Sequence, residues 1–571
     1  MKAFLRNVGV ELSATSWRQF LAVTFVVFAV YGMLLLNPVT AYDFNAAKGD
    51  FLQVFLTYFF MHRIVQGLVA GVFHDFTPFW TLVVGLGLLT CAGMLILLLF
   101  KRLGFNKGHS LIGVALWLST PFFFNRSIYQ HAFPSETLAF CCDALAMLGW
   151  LELKRTQFNK YLWTLVVALC AISASVYQAH VNLLLTGLMG IVVLDQKGRN
   201  KTVIMEWMQI AGILFASVIV WFVINHGPML IAKLIGIEIP KSGGAHDTIY
   251  WFTGDHSFLV NVKSLFVGLV LNWVYNAFFV FGLRCVLVAI CFFFAMSIVW
   301  CIKRKWYCAL ASIGVALSVF VFPVIQCSFA NLRTFYCFMP LIALSGMLLL
   351  QMSSRRLLTA VLMTIVALGL AHETSTLYYY NWKVKEHDKL HMSIVAQDLW
   401  KKYGLKINKP VAIIGGWKHY PTCWEDLRPF RQLPLINYPF TTYSNMSCIS
   451  VPREIYMVAR EKIGLLVPMP DLQTYSRLCA DITLLNSPAY PASGYIVEKD
   501  GVIVVNLGLH NSQWGVFRYK DYATPNEKLL ERTLRLNKLD NFLFEATSPF
   551  RKLAKDYPWT LVLEPEGLAK K

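Results

Sequence analysis

Long apolar runs separated by short polar stretches recur along residues 16–370, and most are long enough to cross a bilayer as a helix of about 20 residues. The first four predicted spans cover about 20–36, 79–100, 110–124 and 135–151. Two more form a hairpin turning at Ser175-Val176-Tyr177-Gln178-Ala179-His180, and a seventh covers about 205–223. The eighth leads to Lys303-Arg304-Lys305, the ninth to Gln326, the tenth to Arg355-Arg356, and the eleventh covers about 357–370. Every even crossing ends in a basic cluster such as Lys101-Arg102 or Lys154-Arg155, whereas the short alternate turns carry scattered Arg126 and Arg333. Positive charge marks the cytoplasmic side, so the pattern predicts eleven spans, the N-terminus inside and the C-terminus outside.

The pattern changes at about residue 372. Lys, Asp, Pro and Tyr become frequent, and short apolar runs such as Val411-Ala412-Ile413-Ile414 and Val502-Ile503-Val504-Val505 read as strands. The chain therefore divides into a membrane part, residues 1–371, and a mixed α/β domain, residues 372–571, large enough for its own core. Gly415-Gly416 after the first strand reads as a strand-ending turn, because the further glycines of a dinucleotide fingerprint are missing. A polar, Gly-rich segment over about 225–272, with Lys241-Ser242-Gly243-Gly244 and Gly254-Asp255-His256, reads as a long outer loop.

Composition sharpens the class. Of 571 residues, 57% are hydrophobic and 15% charged, with a mean hydropathy of +0.53, which excludes a soluble enzyme of this size. The net charge of +19 sits largely in span-flanking loops. No basic patch interleaved with stacking aromatics accompanies it, so nucleic acid is not an expected partner. The first apolar run is as long as a span and no small-residue cleavage site follows, so no cleavable signal peptide is expected. Most of the thirteen cysteines fall in or beside spans as apolar fillers; Cys423 and Cys448 are the candidate pair if the C-terminal domain faces an oxidising compartment. No zinc-type spacing occurs.

The polar residues at the outer ends of spans carry the candidate chemistry. Between the first two spans, residues 42–73 hold Asp43, Asp50 and Arg63. Asp50 is also a plausible helix N-cap ahead of an apolar run. If 51–73 were one straight helix, Asp50 and Arg63 would stand about 20 Å apart along its axis, so a joint role requires a break near His62. Its apolar content suits a helix lying in the membrane interface. Glu136, in the first turn of span four, either satisfies the helix dipole or binds substrate; His131 precedes it. Tyr177 and Gln178 pair an aromatic face with an amide, a combination suited to a sugar, and an interfacial aromatic belt accounts equally for the tyrosine. Arg63 and Arg333 are the candidate cations for a phosphate.

Taken together, Tyr42-Asp43, Met61-His62-Arg63, Phe133-Pro134-Ser135-Glu136, Ser175-Val176-Tyr177-Gln178-Ala179 and Asn331-Leu332-Arg333 resemble the GtrII-type O-antigen glucosyltransferases. The resemblance covers roughly residues 16–370 and only weakly the C-terminal domain. It implies a GT-C-like α-helical polytopic protein of the bacterial inner membrane, with its C-terminal domain in the periplasm. It further implies transfer of glucose from undecaprenyl-phosphate glucose to a lipid-linked O-antigen repeat, with an acid of the first outer loop as catalytic group. Family members carry two adjacent acids there, whereas this chain has Asp43 and then Asp50, of which Asp43 is favoured. Such a transfer needs a carboxylate for the acceptor hydroxyl and a cation for the departing phosphate. Asp43 or Asp50 would be the base and Arg63 or Arg333 the phosphate partner, with inversion in a single displacement. No carboxylate cluster marks a metal site, so no metal or other cofactor is expected. The competing readings are a flippase or transporter of lipid-linked sugars, disfavoured by polar groups gathering on one face, and a surface-polysaccharide polymerase.

Overall fold

The computed structural model describes residues 1–36, 51–60, 63–73, 76–123, 132–156, 159–195, 203–234, parts of 262–279, 280–326, 335–414, 416–417 and most of 464–509. Asp43, Asp50, His131, Arg333, Cys423, Cys448 and the motifs at 241–244 and 254–256 lie outside them. Two compact units result: Met1–Leu269 with Asn276–Tyr378, and Val270–Tyr275 with Tyr379–Lys571.

The first unit is helical. In chain order it comprises α1 (Lys2–Ser13), α2 (Trp17–Tyr31), α3 (Met33–Leu36), α4 (Phe51–Phe60), α5 (Ile64–Val72), α6 (Pro78–Arg102) and α7 (Lys107–Leu118). Then follow α8 (Phe133–Arg155), α9 (Lys160–Val176), α10 (Ala179–Leu194), α11 (Val203–Leu234), α12 (Phe281–Ile302), α13 (Trp306–Gln326), α14 (Phe338–Met352) and the long α15 (Arg356–Tyr403), whose second half, from Tyr379, belongs to the second unit. Among the described residues, five helices are long and apolar enough to cross a membrane, six if α1 and α2, bent by 90°, form one span. Three shorter apolar helices, α9, α10 and α14, accompany them. Outward-facing side chains such as Phe25 (73% exposed), Phe215 (70%) and Leu357 (81%) would be a liability in water and are at home against lipid tails. The protein is a membrane-embedded helical bundle.

Local sequence sets the helix ends. Pro78 and Pro134 stand in the first turns of α6 and α8, where the missing N–H is no loss, and Lys101-Arg102 and Lys154-Arg155 close the same helices at the negative end of the dipole. Asn106 Oδ1 accepts from the backbone of His109 (2.8 Å), and Asn159 Oδ1 from Tyr161 and Leu162 (3.1 and 3.2 Å), capping α7 and α9. At the start of α12, Glu373 accepts from the backbone N–H groups of Phe281 (2.8 Å) and Gly282 (2.7 Å).

Helix α8 is central, buried at nearly every position from 133 to 154 and packed against α6, α9 and α10. Close approach to α6 depends on Gly85, where a Cβ would fall 2.2 Å from the Phe133 ring.

In the second unit, β1 (Val411–Ile414), β2 (Gly416–Trp417), β3 (Ile496–Lys499), β4 (Val502–Asn506) and β5 (Gly508–Leu509) make a three-stranded sheet of order β1-β4-β3 and a two-stranded β2-β5 ribbon. Both sequence-predicted strands are present, and they pair in parallel. Strand β3, missed from sequence, is joined to β4 by Asp500-Gly501, both at positive φ (52° and 75°), the geometry that a two-residue hairpin requires. The last turns of α15 bind this sheet region: Tyr495 donates to Asp398 (2.8 Å) and Lys402 to the carbonyl of Ile496 (2.9 Å).

Candidate functional site

Three features of the chain converge on one end of α8. Glu136 occupies its first turn, and Asp143 follows seven residues later on the same face, about 10 Å further along the axis. Only Tyr177 and Gln178 separate α9 from α10. That short link leaves Ser173, in the last turn of α9, and His180, in the first turn of α10, both turned toward α8. Tyr336 comes from the turn that leads into α14.

Together they form a buried polar chain. His180 Nδ1 lies 2.6 Å from Asp143 Oδ2, and its Nε2 lies 3.3 Å from Glu136 Oε2. Tyr336 donates its hydroxyl to the same Glu136 oxygen at 3.2 Å, and Ser173 donates to Asp143 Oδ1. Glu136, His180, Tyr336 and Ser173 are 0% exposed and Asp143 1%. The rings of Phe140 and Tyr336 pack edge-on against the imidazole, at 5.0 and 5.1 Å between centroids. So buried a set of ionisable groups is costly unless each is paired, and here each is.

From Tyr336 the chain continues toward the helix ends. Its ring contacts Tyr177 at 5.8 Å, and the guanidinium of Arg63 lies 4.8 Å over the Tyr177 ring. Arg63 reaches this place because 51–73 is not one straight helix. Helices α4 and α5 are separate and fold back on each other, with Gly67 against Phe55 and Tyr58 and Gly71 against the Phe51 ring. Arg63 is the residue before α5. The turn is pinned from α11: Asn225 Oδ1 accepts from the Ile64 N–H (3.0 Å), while its amide donates to Ser175 Oγ (3.0 Å) and to the Trp221 carbonyl (2.8 Å). A guanidinium held over a ring carries its N–H groups in its own plane, a fork that suits a phosphate or carboxylate.

Of the site residues expected from sequence, the structure thus brings Arg63, Glu136 and Tyr177 together. Gln178 is half-buried at the start of α10. Asp143, Tyr336, Ser173 and Asn225 were not expected, and His180 only as part of a turn. The missed signal was Asp143 itself, an acid inside an apolar run and seven residues from Glu136, where an intramembrane carboxylate is a functional candidate by default. Among the described residues, no group of three or more His, Cys, Asp or Glu is arranged to hold a metal ion.

The opposite end of α8 holds a second network. Buried Lys154 lies 3.3 Å from Glu206 and 3.6 Å from Asp195, Arg155 binds Asp195 at 2.6 Å, and Tyr307 donates to Glu206 at 3.0 Å. Arg102 joins Glu11 (2.8 Å) and Glu152 (3.5 Å) beside it. The basic flanks read from sequence as topology signals are therefore also paired structural groups. No family model, curated protein or solved structure matches the chain.

Proposed function

We propose that the protein is a GT-C-like glycosyltransferase of eleven spans in the bacterial inner membrane, moving a hexosyl group, glucose in the first instance, from undecaprenyl-phosphate sugar to a lipid-linked O-antigen repeat at the outer face. What carries this reading is the stack of Arg63 on Tyr177, joined through Tyr336 to Glu136, which sets a cation, aromatic surface and a carboxylate side by side at one end of the bundle. Arg63 would hold the departing phosphate and Tyr177 would face the sugar ring. Asp43 or Asp50, which precede α4 in the sequence, would take the acceptor proton as the acceptor oxygen attacks the anomeric carbon and the phosphate leaves with the bonding electrons.

The test is mass spectrometry of surface glycan from a host that supplies the lipid donor and expresses wild type, Asp43→Asn, Asp50→Asn or Arg63→Ala at matched membrane levels. Gain of a hexose with wild type, and its loss with Arg63→Ala and with one of the two aspartate variants, is the expected result. A hexose that survives all three substitutions would sink the assignment of the first loop. A second reading, a proton-coupled transporter of lipid-linked sugar, has one observation in its favour: the Glu136–His180–Asp143 chain is buried inside the bundle, where ionisable groups mark proton paths. Absence of any added sugar in that host, with accumulation of lipid-linked donor on one membrane face, would favour it.

A further inference from the structure

The imidazole of His180 stands between two carboxylates, and this arrangement constrains its protons. Each of the two nitrogen–oxygen contacts, 2.6 Å to Asp143 and 3.3 Å to Glu136, is attractive only if a proton lies in it, because a bare ring nitrogen and a carboxylate oxygen both present lone pairs. Two protons shared over the three groups satisfy both contacts and leave one net negative charge. Ser173 and Tyr336 each donate a hydroxyl to one carboxylate, which supports that charge. A third proton, on the outer oxygen of either carboxylate, makes the cluster neutral, and a dry surrounding of Phe140, Tyr336 and the α8–α9 packing favours neutrality. The two demands oppose each other, so the cluster titrates as a unit.

We infer that Glu136, His180 and Asp143 form a binding site for one exchangeable proton within the membrane part of the protein, and that its occupancy is felt at Arg63 through Tyr336 and Tyr177. The coupling is direct. Protonation of Glu136 on its outer oxygen turns Oε2 from a carboxylate oxygen into the weaker carbonyl acceptor of a neutral acid, which loosens the hydrogen bond from the Tyr336 phenol, whose ring packs against Tyr177. Among the described residues, the other titratable or charged groups around the site include Cys142 on α8 and Cys170 on α9, both near Asp143, Cys91 of α6 beside Cys141, Cys337 next to Tyr336, Tyr177 against the Tyr336 ring, and Arg63 beyond it. Helix α5 contributes no ionisable side chain. The site stands whether the protein transfers or transports a sugar.

The experiment is pH-difference infrared spectroscopy of the purified full-length protein in phosphatidylcholine nanodiscs, following the carboxylic-acid C=O stretch between about pH 5 and 9. Wild type should show one carboxylic-acid band per chain that appears with acid and that moves in deuterated buffer. Asp143→Asn and Glu136→Gln should remove or displace it. Tyr336→Phe and Ser173→Ala, which delete single hydroxyls from otherwise unchanged packing, keep the test decisive if the acid variants do not fold; each should shift the midpoint of the band toward higher pH, since each removes a hydrogen-bond donor that favours the ionised carboxylate. In wild type and in Ser173→Ala, tryptic access at Arg63 should titrate with the midpoint of the band, whereas in Tyr336→Phe, which lacks the phenol that joins Glu136 to Tyr177, that pH dependence should be lost while the band persists. A band unchanged by all four substitutions, or no titrating carboxyl in wild type, would overturn the inference.

Discussion

Replacing Lys154 by Met isolates the energetics of the buried network at the far end of α8. Lys154 is 1% exposed at its side chain, and its partners Asp195 and Glu206 are 1% and 0% exposed. Asp195 keeps Arg155 at 2.6 Å in the variant, so it stays paired. Glu206 does not: among the described residues Lys154 is its ion-pair partner, and only the Tyr307 hydroxyl at 3.0 Å remains. Breaking a buried pair by removing one partner destabilises by about 3–5 kcal/mol, because the other charge is left in the interior. At about 1.4 kcal/mol per factor of ten, the folded fraction should fall by about two to four orders of magnitude relative to the unfolded one. Pairing Lys154→Met with Glu206→Gln removes the orphaned charge and should recover at least half of the loss. The assay is equilibrium unfolding in mixed micelles, comparing the two single variants, the double variant and wild type as a thermodynamic cycle. A loss below about 1 kcal/mol for Lys154→Met, or a double variant no more stable than that single variant, would refute the account.

Three further outcomes are expected. Asn225→Ala removes the side chain that pins the α4–α5 turn and should cost about 1 kcal/mol, seen as faster hydrogen exchange in 51–72 while α12–α14 keep their protection. Arg63→Lys keeps the charge but gives up the planar guanidinium over the Tyr177 ring, and the proposed transfer should fall about 100-fold in the glycan assay, whereas an equal rate would assign the phosphate to another cation. In the second unit, hydrogen bonds from Lys499 and then Thr483 hold the Asp481 carboxyl below its usual range. A depressed folded value means that the contribution is complete above about pH 4 and is lost as pH falls below it; exchange of the β3–β4 hairpin should therefore accelerate between about pH 4 and 2 in wild type and not in Asp481→Asn.

Hydrophobic periodicity made the helices legible because a membrane enforces it: α6, α8, α12 and α13 lie within a few residues of the predicted spans. Ends were less legible where polar cues are absent. Span seven was expected to stop near 223, yet α11 runs to Leu234 through Pro228, and span eleven continues as α15 to Tyr403 although its composition turns polar. Polar sites were harder still, since a lone acid in an apolar run gains meaning only from what folding sets against it. Asp143 is such a residue, and only the two-residue link between α9 and α10 brings His180 and Ser173 to it. Tyr336, two hundred positions from Glu136, has no local signal at all.

The placement of charge along α8 bears on the choice between transfer and transport. Glu136 and Lys154 are eighteen residues apart, which on a straight helix is about 27 Å, close to the thickness of a bilayer core of about 30 Å. The polar chain of Glu136, His180 and Asp143 occupies the first third of that length, and the ion network of Lys154, Asp195 and Glu206 the last turn. Between them, residues 144–151 of α8 are Ala, Leu, Ala, Met, Leu, Gly, Trp and Leu, all but Leu145 buried, and none has an ionisable side chain that could carry a proton. A transport route along this face of α8 would have to cross about two turns of packed side chains that carry no ionisable group. A transferase needs nothing of the kind, because its donor lipid, its acceptor and its departing phosphate all meet at one membrane face. On α8 itself the ionisable groups are thus confined to the two ends, the arrangement that the proposed transfer at the Glu136 end would need, with the Lys154 network fixing the helices at the other.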